Sequence, residues 1–373
     1  MNISYLSTFY PFRGGISQFN ALLYNELSKT NQVKAFTFKR QYPEILFPGK
    51  SQMVQNYDKT IKINSNRILD SINPISYYKT AKEINIFNPK LNLMKFWMPF
   101  FAPSLGKTAR LLKKNGTKNI TILDNVIPHE GRIGDLSLIK YFINSNDAFI
   151  VMSNSVKNDL LKISPNAKYK FLEHPIYNQF SDKINKDIAL QKLELDTSKK
   201  YILFFGFIRK YKGLDLLIKA MKFLPNDIEL IVAGEVYGKF DEYQKLIEDE
   251  NLIKRIHLFT NYIADNEVSI YFSASDACVL PYRSATQSGI TGIAYNFDVP
   301  LIATDTGSLK EVIEPYNCGE IIQEISPESI ADSILKFYCK DANSFKTGIQ
   351  KYKDIANWSF FAKGILDLYN EII

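Results

Sequence analysis

Residues 201–235, YILFFGFIRKYKGLDLLIKAMKFLPNDIELIVAGE, decide the fold. The first six form an unbroken apolar run closed by glycine, the length and composition of a strand buried on both faces. A short basic turn follows, and an amphipathic stretch then predicts a helix from about 213 to 223. IELIVAG at 228–234 is a second apolar strand. Strand, helix, strand is the repeating unit of a parallel sheet covered by helices.

Downstream the logic repeats. A helix is expected near 242–250, and RIHLF at 255–259, DACVLP at 276–281 and VPLIAT at 299–304 are further short apolar strands. Upstream, NISYLST opens on a strand, FYPFRGG makes a turn, and Ile16, Phe19, Leu22, Leu23 and Leu27 recur at helical spacing over 16–29. NITIL at 119–123 and AFIVMS at 148–153 are two more strands, the second leading into a helix near 156–162. Between 43 and 100 the pattern is weak and fixes no element order. The expected fold is α/β, with two doubly wound, Rossmann-like halves. Apolar periodicity lapses at 175–198, which separates a domain over 1–178 from one over 179–345. In such sheets ligands bind beyond the carboxyl ends of the strands, so the site is expected in a cleft between the halves.

At 373 residues the chain exceeds the size at which one core usually divides. A hydrophobic fraction of 46% with only 17 Gly and 15 Pro excludes collagen-like and disordered classes. The three cysteines, Cys278, Cys318 and Cys339, have no paired spacing, which argues against a disulfide framework or a zinc site. The N-terminus lacks the layout of a signal peptide, and no apolar stretch is long enough to cross a bilayer, so a cytoplasmic protein is expected. Residues 1–178 carry 24 Lys and Arg against 11 Asp and Glu, and the remainder 22 against 28. The basic front half suits an anionic membrane surface or phosphorylated substrate, or reflects scattered solvated lysines. No nucleic-acid motif accompanies it, so no nucleic-acid partner is expected.

Several segments carry chemistry. The turn Arg13-Gly14-Gly15 opens a helix and suits either an anion or a plain tight turn. After the strand ending at Gly206, Arg209 and Lys212 are placed to neutralise a diphosphate. In LPYRSATQSG, Thr286, Gln287, Ser288 and Gly289 open another helix, with Ser288 or Thr286 suited to capping it. ILDNVIPHE sets Asp124 at a strand end and His129 beyond a proline, both able to do acid–base work. His257 fits a sheet histidine. The histidines are too scattered for a metal cluster, and no metal is expected. Ser104 suits the cap of a helix bearing Lys107, Arg110, Lys113 and Lys114, preceded by Trp97, Phe100 and Phe101; these suit a membrane interface or an ordinary solvated face.

In order along the chain, YPFRGGISQFNALL, ILDNVIPHE, FIVMSNSV, EHPIYNQF, FFGFIRKYKGLDLLIKAM, IVAGE, SDACVLPYRSATQSG and VPLIATDTGSLKEVI resemble the bacterial GT-B glycosyltransferases of family 4. That group includes retaining transferases of capsule and lipopolysaccharide assembly. The resemblance implies two Rossmann-like domains facing across a cleft, the first for the acceptor and the second for a nucleotide diphosphate sugar, with no cofactor and no obligatory metal. It implies a helical segment over 346–373 crossing back to the first domain. Gly14 and Gly15, Gly206, Arg209, Lys212, Gly234, Glu235 and the Thr286–Gly289 turn are the implied donor contacts; Asp124, His129, Arg209 and Lys212 are the implied catalytic groups. Many members carry Glu-x7-Glu where this chain has Thr286 and Ala294, and the TQSG-bearing subgroup looks like this one. The implied function is transfer of a sugar to a glycan or lipid-linked acceptor. Alternatives are a nucleotide-sugar epimerase of the same architecture or a degenerate nucleotide-sugar-binding subunit.

Overall fold

Residues 201–205 are all buried, alternately into two cores: Tyr201, Leu203 and Phe205 on one face of a sheet, Ile202 and Phe204 on the other. Burial on both faces removes any polar alternation from such a strand. The structure, a computed structural model of the chain, describes residues 1–43, 52–54, 61–128, 132, 134–176, 180–236, 238, 240–285 and 288–373. It divides into two units, Met1–His174 with Asn357–Ile373, and Pro175–Ala356.

The first unit runs β1 (Asn2–Leu6), α1 (Gly15–Ser28), β2 (Gln32–Arg40), β3 (Ser65–Asp70), α2 (Pro74–Ile86), β4 (Leu91–Phe96), α3 (Ala102–Lys113), β5 (Lys118–Leu123), α4 (Asp135–Ile143), β6 (Ala148–Val151), α5 (Asn154–Ile163) and β7 (Tyr169–Phe171). Its strands pair in parallel in the order β3-β2-β1-β4-β5-β6-β7.

The second unit holds α6 (Lys186–Lys192), β8 (Lys200–Phe205), α7 (Leu214–Ala220), β9 (Ile228–Ala233), α8 (Asp241–Asp249), β10 (Ile256–Phe259), α9 (Val268–Ala274), β11 (Ala277–Leu280), α10 (Gly289–Asn296), β12 (Leu301–Thr304), α11 (Leu309–Ile313), β13 (Gly319–Ile322), α12 (Pro327–Cys339) and α13 (Ala342–Ile355). Its parallel order is β10-β9-β8-β11-β12-β13. In each sheet the winding reverses beside the first strand, next to β1 and next to β8, the place where sheets of this kind bind ligands beyond their strand ends.

The final helix, α14 (Trp358–Ile372), packs in the first unit, where Trp358 and Phe361 meet Phe19 of α1 edge-on at 5.1 and 5.6 Å. Gly364 lets it close on Leu172, since a Cβ there would stand 2.6 Å from that side chain. The division falls at His174 rather than 178, and the second unit runs to Ala356 rather than 345. The reason is α13, whose Phe345, Ile349 and Tyr352 are buried in that unit's cores. Each such fully buried apolar side chain contributes about 1.5–3 kcal/mol.

Two local expectations are corrected. Ser104 does not cap α3, which begins at Ala102; its hydroxyl donates to the Phe101 carbonyl from inside the helix. The expected helix at 213–223 is α7 followed by a separate tight turn over Met221–Phe223.

Candidate functional site

Beyond the carboxyl ends of β8 and β9 lie Gly206 and Gly234. A Cβ on Gly234 would fall 2.3 Å from the Gly206 carbonyl oxygen, and φ there is +145°, so only glycine permits the approach. Lys212 covers Gly206, its Nζ 3.1 Å from where a Gly206 Cβ would sit. This lysine is 7% exposed, and among the described residues no carboxylate pairs with it. Its aromatic neighbour is Tyr282, whose ring centre is 5.6 Å away. Burial, helped by the positive charge of Arg209 and opposed by the Cys278 thiol, pushes the Lys212 pKa down to about 8. A buried cation without a counterion is unfavourable until an anion arrives.

Helix α10 opens beside Tyr282. Ser288 occupies its cap position, yet its Oγ caps no backbone N–H and lies 3.2 Å from the Tyr282 hydroxyl. Ser288 thus caps none of the first-turn N–H groups of α10 with its side chain, the Thr291 N–H donates to the Ser288 carbonyl at 3.2 Å, Gly289 faces open space, and among the described residues the buried Thr291 hydroxyl has no hydrogen-bond partner. The positive end of α10 beside a buried ammonium suits an anion.

Arg283 fixes this geometry. Its guanidinium donates to both carboxylate oxygens of Asp215 at 2.8 and 2.6 Å and to the Lys210 carbonyl at 2.8 Å, while its backbone N–H donates to the Tyr211 carbonyl at 2.7 Å. Burial works against the Asp215 charge, but hydrogen bonds and attraction from Arg283 hold its carboxyl below the usual range. Gly213, at φ +71°, has the Pro281 carbonyl oxygen 2.0 Å from its would-be Cβ. The loop after β11 thus clamps the turn that carries Arg209 and Lys212. Sequence reasoning passed over Arg283, because its partners lie some seventy residues upstream.

In the first unit, β5 delivers Asp124, whose Oδ1 is 2.6 Å from Nζ of Lys95 on β4. Lys95 is 2% exposed at its side chain and Asp124 20%. The ammonium also stands 3.5 Å from the Phe19 ring centre, a close cation–π contact. Burial pushes the Asp124 carboxyl up and the Lys95 ammonium down, each partly offset by the other. Asn20 of α1 accepts from the Tyr5 hydroxyl at 2.6 Å and donates to Ser7 Oγ and the Thr8 carbonyl, tying α1 to the loop after β1. Gly14 and Gly15, exposed at the uncapped start of α1, have nothing within 4 Å of a would-be Cβ. That leaves room there for a ligand.

In the second unit the structure brings together Gly206, Lys212, Gly234, Ser288 and Gly289. Arg209 is exposed at the head of the same turn, and Glu235 is exposed at the end of β9, its carbonyl accepting from Ile208 N–H at 2.9 Å. Asp124, Gly14 and Gly15 belong to the first unit. His129, Thr286 and Gln287 lie outside the described residues. Ala294 is fully buried in α10. His257 is a sheet residue whose Nε2 lies 2.7 Å from Glu229. The three cysteines are unpaired. Among the described residues no cluster of His, Cys, Asp or Glu could hold a metal, and no helix is long and apolar enough to cross a membrane.

Residues 185–353 match the family described as Glycosyl transferases group 1. An uncharacterized glycosyltransferase of Methanocaldococcus jannaschii is 25% identical over the whole chain and 99% of its own length. The lipopolysaccharide core biosynthesis mannosyltransferase LpsB of Rhizobium meliloti is 32% identical over 36% of this chain and 40% of its own. Further relatives are matched over 35% to 59% of their length. Among solved structures, the Anabaena protein HepE in complex with UDP superposes with a TM-score of 0.72 at 14% identity, both chains being covered in full. The fold is that of the GT-B glycosyltransferases. The matched domain and the relatives support a glycosyltransferase, some of the relatives acting in polysaccharide and lipopolysaccharide synthesis.

Proposed function

We propose that this chain is a retaining glycosyltransferase of the TQSG-bearing kind, moving a sugar from a nucleotide diphosphate sugar to a glycan or lipid-linked glycan during assembly of a bacterial surface polysaccharide. One observation carries the reading: Lys212 is buried at the switch point of the second sheet with no counterion among the described residues, beside the start of α10, which Ser288 does not cap. The diphosphate of the donor supplies the missing charge. The UDP held by the Anabaena protein supports a nucleotide-linked donor, and the mannosyltransferase name of the Rhizobium relative supports sugar transfer.

As the bond between the sugar's anomeric carbon and the diphosphate oxygen breaks, negative charge gathers on the departing diphosphate, and Lys212 with Arg209 stabilises it. The acceptor hydroxyl oxygen forms the new bond and gives up its proton, for which Asp124 is the acid–base group of the first unit. Preorganised charge of this kind is worth about 10²–10³ in kcat per group. Because two cations fill this role, turnover is expected to survive EDTA. The reading places the enzyme in the cytoplasm at the inner face of the plasma membrane, whose anionic lipids would attract the basic first half.

Thermal-shift titration with UDP, GDP and ADP, with and without EDTA, tests it. A nucleotide at 100 times its Kd adds about 2.7 kcal/mol of stability. We expect one of the three to raise Tm regardless of EDTA; the absence of any shift would overturn the reading. Conversion of a nucleotide sugar without acceptor would instead identify an epimerase.

A further inference from the structure

Helix α2 presents an outward face its core does not require. Tyr77, Ala81 and Ile84 pack inward together with Ser76 and Thr80, whereas Ile75, Tyr78 and Ile86 are 65%, 53% and 70% exposed. Lys79 and Lys82 share that outer stripe at helical spacing and are exposed as well. Ile72, just ahead of the helix, is 47% exposed. Apolar side chains turned to water in a row, interleaved with lysines, are the pattern of a helix lying in a lipid–water interface.

Beside this stripe lies a cavity of about 380 Å³, lined by Pro74, Tyr77 and Tyr78 of α2, Pro103 of α3, and Leu138 and Tyr141 of α4. Its lining is almost wholly apolar. The Tyr77 hydroxyl is already spent on the Ser71 carbonyl at 2.8 Å, and among the described residues no carboxylate or amide side chain lines the cavity, whose other polar groups are Lys107 and the Tyr78 and Tyr141 hydroxyls. At the rim Lys107 stands 4.9 Å over the Tyr78 ring and Arg110 4.2 Å over the Tyr141 ring. Apolar surface edged by cations complements an anionic lipid layer.

We propose that the outer face of α2 and the adjoining α2–α3–α4 cavity form the docking surface for an anionic lipid bilayer: Ile75, Tyr78 and Ile86 enter the acyl boundary, and Lys79, Lys82, Lys107 and Arg110 meet the headgroups. This rests on the reading that the acceptor is met at a membrane, and it names the surface that meets it. It locates the contact away from the aromatics Trp97, Phe100 and Phe101, which pack into the first unit's own core.

The test is flotation of the full chain with vesicles of phosphatidylcholine alone or mixed with phosphatidylglycerol, at low and high salt. Wild type should partition at least tenfold better into the mixed vesicles, less so as salt rises. I75S/Y78S and K79E/K82E, which alter only exposed side chains, should each cut that partition about tenfold or more while leaving nucleotide-induced thermal shifts unchanged. Equal binding of wild type to both vesicles overturns the proposal, as does I75S/Y78S binding like wild type. Loss of the nucleotide shift in wild type would count against the transferase reading, not against this surface.

Discussion

Among the described residues each unit buries one lysine near the carboxyl edge of its sheet, and the two are treated in opposite ways. Lys95 has Asp124 at 2.6 Å and the Phe19 ring beneath it. Lys212 has an aromatic neighbour too, Tyr282, but no carboxylate partner among the described residues. A charge taken out of water must be neutralised by something. The first unit carries its counterion within the fold; the second leaves that task to a ligand. The same residue type thus serves structure in one unit and binding in the other, and what it is paired with tells which.

The sharpest way to break this contrast is one substitution made twice. Lys95→Met strands the Asp124 carboxylate and should cost about 3 kcal/mol, the lower end of the range for a broken buried pair because Asp124 keeps some solvent contact. Lys212→Met removes an unpaired buried cation, so Tm in the ligand-free protein should hold or rise while kcat falls about 10²–10³-fold. Denaturant melts and initial rates on both variants decide it; equal destabilisation of the two would end the comparison.

A smaller effect is expected at the clamp that holds the turn carrying Lys212. Arg283→Met frees the turn carrying Lys212, and donor KM should rise about tenfold or more, with Arg283→Lys recovering part of the loss. Steady-state kinetics that leave donor KM unchanged would show that the turn holds its shape without Arg283.

The mildest test is pH. With the Lys212 pKa lowered to about 8 in the folded state, the unfolded chain binds the extra proton between about pH 8 and the ordinary lysine range. Stability of the ligand-free protein should therefore rise across that window, and the rise should vanish in Lys212→Met. A diphosphate favours the charged form, so its affinity should fall above pH 8, by about tenfold per pH unit at most. Calorimetry in buffers of different ionisation heat should detect proton uptake on UDP binding at pH 9; none would sever the link between this lysine and the anion.

The second sheet was legible in sequence because strands such as YILFF are buried on both faces and show it as continuous apolar runs. Residues 65–96 were not, for the opposite reason. Strand β4 buries Asn92 and Lys95, with Asn92 accepting from Ser4 and donating to Asn119 at 2.9 Å each, while α2 turns isoleucines outward and Ser76 and Thr80 inward. Polar groups satisfied by distant partners look, in one dimension, like surface. Arg209 and Lys212 could be read as a cation pair from spacing alone; only the fold shows that one is exposed and the other buried. Lys95 stayed hidden behind Asp124, and Ser288 looked like a cap although its hydroxyl turns toward Tyr282.

The return of α14 to the first unit sets an order of assembly. On the ribosome, Phe19 emerges early, but the Trp358 and Phe361 that cover it emerge only after all of Pro175–Ala356 has been made. The second unit is contiguous and can close first, so the half of the molecule that is translated first is the half that is finished last.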